Sequence, residues 1–166
     1  MHKLEIFAVL VVLLGGSPAL GFDFARYQAA DLDALMTQRR PRSGIDLYAA
    51  QPLKLRVVLV SYAERCDVGM LKKSLVVSGV VKEQDELGVT RCIKVRSGKG
   101  TRLRLFIQDV VAEYLPKEVP LGSPLTLYAI HAFTAPDGPA LLVNEFRTDA
   151  SGDPKPMERA AAWTER

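Results

Sequence analysis

Hydrophobic and polar positions between Ser74 and Phe146 set the pattern of the chain. Leu75–Lys82 (LVVSGVVK) is rich in β-branched residues and is followed by Glu83, Gln84, Asp85, Glu86 and then Gly88, which predicts a first strand and its turn. Thr90–Arg96 (TRCIKVR) alternates, with Ile93 and Val95 on one face and Cys92, Lys94 and Arg96 on the other. Ser97, Gly98, Lys99 and Gly100 supply a turn, after which Arg102–Gln108 (RLRLFIQ) alternates again with Leu103, Leu105 and Ile107 inward. Asp109 is placed to cap a short helix over Val110–Leu115, which Pro116 ends. Leu125–Phe133 (LTLYAIHAF) and Ala140–Phe146 (ALLVNEF) flank Ala135, Pro136, Asp137 and Gly138, a second hairpin.

Upstream, Phe24–Arg40 reads as an amphipathic helix, with Leu32, Leu35 and Met36 on one side, Asp31 and Asp33 early and Arg39 and Arg40 at the end. Pro41, Ser43 and Gly44 stop it, and Ile45–Pro52 reads as a connector. Leu53–Tyr62 (LKLRVVLVSY) is a further strand, with Leu53, Leu55, Val57 and Leu59 on one face. It is either an extra strand or the first strand of the same sheet, which would shift the count by one. Ala63–Lys73 is a bent turn or one helical turn. From Asp149 on, Gly152, Pro154 and Pro156 oppose regular structure, and this tail is expected to be flexible, with Trp163 able to dock back. The division is 1–21, 22–52, 53–148 and 149–166.

Three strands, a short helix and two more strands resemble the order of an oligonucleotide/oligosaccharide-binding (OB) fold, over residues 74–146 and in element order alone. The fold class is thus mainly β, a small five- or six-stranded Greek-key barrel with an N-terminal helix and one short helix between strands three and four. A generic sandwich fits the same order, and such barrels serve many unrelated tasks.

With 166 residues, 48% apolar and 25% charged, the chain fits one ordinary domain; a formal charge of +3 is too weak overall to signal nucleic acid. Its start changes the picture. Lys3 precedes the apolar run Ile6–Leu14, and Ala19, Leu20 and Gly21 carry the small residues of a signal-peptidase site, so cleavage is expected before Phe22. The run has nine residues before Gly15 and Gly16, whereas a membrane span needs about 20. No second run of spanning length follows. A periplasmic or secreted address is expected, and in that setting the pair Cys66 and Cys92 is expected to be a disulfide. Closing that loop removes unfolded-state entropy worth roughly 3 kcal/mol.

Candidate chemistry is sparse. The mature chain would keep one histidine, His131, in a strand beside Ala129 and Phe133, where a satisfied barrel-wall role outweighs a catalytic one. A zinc site or a histidine-activated nucleophile would have to use it alone, so no metal, cofactor or catalytic residue is expected. Asp85 and Glu86 fall in a turn, Asp109 at a helix start, and Glu145 is expected to alternate outward. Gly98, Lys99, Gly100 and Thr101 carry part of a phosphate-loop spacing but lack its first glycine and its following helix.

One constellation remains. Between Lys72 and Arg104 nine basic residues face three acidic ones, and alternation places Lys94, Arg96, Arg102, Arg104 and Phe106 on one outward hairpin face. Such a face suits an anionic ligand, held by guanidinium hydrogen bonds with Phe106 as a stacking platform; lysines and arginines on an exposed strand pair also serve solubility. The leading expectation is an exported, non-enzymatic binding module for an anionic glycan, a lipid headgroup or an acidic envelope protein. Nucleic acid is disfavoured, because a single aromatic marks the face. The alternatives are an envelope hydrolase using carboxylates or His131, and a structural or assembly subunit.

Overall fold

The computed structural model describes residues 22–83 and 87–148. The expected signal segment, the turn residues Gln84, Asp85 and Glu86 and the C-terminal tail lie outside the described residues.

Five strands close a barrel: β2 (Asp46–Arg65), β3 (Arg91–Arg96), β4 (Arg102–Ile107), β6 (Gly138–Thr148) and β5 (Pro124–Ala135), which returns to β2. Neighbours are antiparallel except β4 and β6, which run parallel where Phe106 and Ile107 lie opposite Leu142 and Val143. Long β2 makes closure possible. Its first part pairs with β5 and its last part with β3, and Val58 lies opposite both Pro124 and Arg96. Leu53–Tyr62 is therefore the first barrel strand, not an extra one, and the strand begins already at Asp46, where a connector was expected. A short strand β1 (Gln28–Ala30) adds in parallel beside Leu53–Leu55.

Leu55, Leu59, Ile93, Val95, Leu105, Ile107, Leu125, Leu127, Leu141 and Phe146 fill the interior and are fully buried. All but Phe146, which a bulge at Asn144 brings inward, are apolar positions of the alternation, so period two largely decides which side chains leave water. Two short helices, α3 (Asp109–Ala112) and α4 (Leu115–Glu118), join β4 to β5 and add Val111, Ala112 and Leu115 to this core. Pro116 lies in the first turn of α4 rather than ending a helix, a position where its missing N–H is no loss. Asp109 is not the expected cap. Gln108 holds that position, and the Asp109 carboxylate instead accepts from the Thr90 backbone N–H and hydroxyl and from Arg91 Nε.

Two further expectations are corrected. Leu75–Lys82 does not form a strand: Gly69–Val77 is a helix, α2, whose Leu71, Ser74 and Leu75 are buried over the outer surface of the β5–β6 pair in a second apolar cluster with Phe133 and Leu142. Burial at positions i, i+3 and i+4 outweighs the β preference of Val76 and Val77. Gly79, at φ 72°, ends the helix, with its N–H bonded to the Val76 carbonyl and that of Val80 to the Leu75 carbonyl. This paired closure needs the left-handed conformation glycine tolerates. Upstream, Phe24–Arg40 is not one helix but a 3₁₀ turn (Phe24–Arg26), β1 and a six-residue helix α1 (Leu32–Thr37). Asp23 and Asp31 each accept a hydrogen bond from the backbone ahead of them and so start two short elements where one long one was expected.

Candidate functional site

Alternation and register bring the expected residues onto one surface. In the β3–β4 pair Cys92 lies opposite Phe106, Lys94 opposite Arg104 and Arg96 opposite Arg102, so all six side chains share the outer face. The chain folds this way locally because Ile93, Val95, Leu105 and Ile107 must enter the core, which leaves their neighbours outside. Arg96, Arg102 and Arg104 are exposed and Lys94 is half-buried.

Two rungs of this hairpin thus set cation against cation, an arrangement that destabilises a strand pair unless an anion sits nearby. One anion belongs to the chain: Glu64 on β2 meets Lys94 Nζ at 2.7 Å. The hydrogen bond from Lys94, then its charge and that of Arg104, hold the Glu64 carboxyl below its ordinary pKa. Among the described residues, Arg96, Arg102 and Arg104 make no ion pair. Arg91, also basic and on β3, turns away to Asp109 at 3.0 Å and Glu113 at 3.5 Å and is no part of the face.

Phe106, the expected stacking platform, shares this outer face. It is half-buried and packs against the second apolar cluster. The same packing makes a concave cleft of about 500 Å³ beside the cations, lined by Arg104 and Phe106. Cys66 and Asp67, where β2 leaves the barrel, line it too, as do Phe133 and the turn from Asp137 to Ala140. A volume of this size lies within the usual range of small-ligand sites.

Cys66 and Cys92 form a disulfide, with sulfurs 1.97 Å apart and Cα atoms 5.8 Å apart, in the wall of the cleft. It ties the end of β2 to β3, closing the excursion that carries α2. Gly138 shapes the opposite wall at φ 136°, where an added Cβ would lie 3.2 Å from Met36 Sδ of α1. Periodicity points to Lys94, Arg96, Arg102, Arg104 and Phe106 but not to Asp67, Phe133 and Asp137, because closure of the barrel brings these from distant segments.

The remaining candidates lie apart from this cleft. His131 is 3% exposed, and its Nε2 lies 3.1 Å from Thr134 Oγ1. Burial lowers its pKa, partly opposed by a backbone hydrogen bond at Phe133. Glu145 takes the outward face expected, opposite Tyr128 and next to the inward Phe146, but is covered there at 2% exposure, and its Oε1 accepts from the Phe146 N–H at 2.9 Å. A bulge sets this register: Tyr128 lies opposite Glu145 while Ala129 lies opposite Val143, leaving Asn144 as an extra residue, so that Val143 and Phe146 both enter the core and Glu145 stays outside. His131 and Glu145 pair with different rungs, His131 opposite Leu141, so they do not form an acid/base couple. Among the described residues no three His, Cys, Asp or Glu side chains are placed to hold a metal ion. No helix among them is long and apolar enough to cross a membrane.

Comparison of the chain with protein-family models, with curated proteins and with solved structures gives no match.

Proposed function

We propose that this chain is an exported binding module of the OB kind, which holds an anionic ligand in the cleft on its β3–β4 face. Support for the fold comes from the ring order, the parallel β4–β6 contact and the helices between the third and fourth barrel strands. In such barrels ligands lie over strands two and three, between the loop joining strands one and two and the loop joining four and five. The cleft has this position: Arg104 and Phe106 come from the third barrel strand, Cys66 and Asp67 from the first connection and Asp137 from the last. Export is favoured by the signal-like start and by the disulfide, and the intact mass of the exported protein is expected to begin at Phe22.

The observation that carries the binding reading is the opposed cation pairs. Arg96 against Arg102 and Lys94 against Arg104 put four positive charges on two rungs, with one carboxylate of the chain in contact. A ligand phosphate, sulfate or carboxylate would relieve that repulsion and accept paired guanidinium hydrogen bonds. Heparin serves as the test polyanion. Its affinity is expected to fall steeply as salt rises, and the double variant Arg102→Ala, Arg104→Ala to lose at least tenfold with no fall in its melting temperature. Affinity that ignores both salt and the variant contradicts the proposal.

A further inference from the structure

A second cleft, of about 570 Å³, lies away from the cations and is built differently. Pro52 of β2 and Ile130 of β5 lie opposite each other and line it together. Phe22 and Tyr27 line it from the N-terminal segment, Val80 from the turn after α2, and Asn144 from the bulge of β6. Bulges commonly re-aim one side chain out of the pleat at a working site.

A directed hydrogen-bond chain fixes the polar part. Gln108 Nε2 donates to Asn144 Oδ1 at 3.0 Å, and Asn144 Nδ2 donates to the Tyr27 hydroxyl at 3.2 Å. The carbonyl end of Asn144 is thereby committed, while its second amide hydrogen and the Tyr27 hydroxyl hydrogen have no acceptor among the described residues. Two donors are left side by side in a cleft whose walls are part apolar, from Phe22, Pro52, Val80 and Ile130, and part polar, from Asp23, Arg26 and Ser78. Burial keeps the Tyr27 phenol above its usual pKa, so it remains a neutral donor. The rings are held in place: Phe22 stacks on Tyr27 with centroids 5.1 Å apart, both meet Tyr128 edge-on, and Arg147 lies 3.6 Å over Phe24 beside them. Asp23 and Arg26 both line the cleft, so its formal charge cancels.

From this arrangement we infer a second binding site, for a neutral sugar carrying an acetamido group. The acetamido carbonyl accepts from Tyr27 and Asn144, its methyl group and the ring's apolar face meet Pro52, Ile130 and the aromatic side chains, and Asp23 accepts from ring hydroxyls. A ligand of this class needs an acceptor where the protein offers donors, and it brings no net charge to a site that has none. The site stands apart from the cationic cleft and does not depend on it.

N-acetylglucosamine, titrated into the protein while the side-chain amide signals of Asn144 are followed by NMR, is the test. A saturating shift of those signals is expected, with glucose, which keeps the ring but lacks the acetamido group, at least tenfold weaker. Tyr27→Phe keeps the aromatic packing and removes one donor, and a further loss of about tenfold is expected, the size of one hydrogen bond in a partly dry site. Val80→Arg, at a position 42% exposed, obstructs the cleft without touching the core and is expected to abolish the shift if Tyr27→Phe proves unstable. Absence of a saturating shift, equal affinity for glucose, or binding untouched by either variant overturns the inference.

Discussion

His131 lies uncharged inside the wall of β5 because charging an imidazole there would take the cation out of water. Its folded pKa lies below the unfolded value of about 6.5, so between the two the unfolded chain binds more protons. Stability is therefore full above about pH 6.5 and falls as the pH drops through that interval. Urea unfolding at pH 7.5 and at pH 5 measures this, and His131→Gln, which keeps a polar group beside Thr134, is expected to lose less on acidification than the parent. An unchanged loss would place the acid sensitivity elsewhere. At this scale the burial of His131 is legible in the sequence, since its neighbours in the strand are apolar. The burial of Glu145 is not, because the bulge at Asn144, which no residue type announces, sets it beside Tyr128 on the outer face that the Phe22, Phe24 and Tyr27 rings meet. The donors Tyr27 and Asn144 stay hidden for the same reason: one follows a 3₁₀ turn, the other sits in the bulge.

Among the elements, the β3–β4 hairpin is the clearest in the sequence, since strict alternation fixes both its core side and its cationic side. Its two like-charge rungs lead to an opposed effect on stability and binding. Arg102→Glu converts the outer rung into an attractive pair with Arg96, which is expected to stabilise the free protein by about 0.5–1 kcal/mol in denaturant unfolding while heparin affinity falls. Destabilisation by this change would show that the cations do not repel. Helix α2 is the element that composition hides. Leu75–Lys82 reads as a strand by its valines, and the informative signal is Ser78–Gly79, a helix stop with a bonded closure. The split of Phe24–Arg40 is written in Asp23 and Asp31, one capping residue just before the span and a second inside it.

For the whole molecule, one long strand explains how distant segments meet. Because β2 serves β5 with its first part and β3 with its last, closing the barrel brings the connection after Arg65 and the turn after Ala135 to either side of Arg104 and Phe106. Strand order follows from local pattern, whereas the cleft follows from closure, so the sequence shows its cations but not Phe133, Asp67 or Asp137. The disulfide adds to this arrangement. It shortens the unfolded chain's freedom, worth roughly 3 kcal/mol, and holds the cleft wall against β3. The central claim is that anions bind in this cleft, and backbone NMR of the protein titrated with a short heparin fragment tests it most directly. The account predicts saturating shifts grouped at Asp67, Cys92, Arg102, Arg104, Phe106 and Asp137; shifts spread evenly over all surface lysines and arginines, or centred on another part of the barrel, would contradict it.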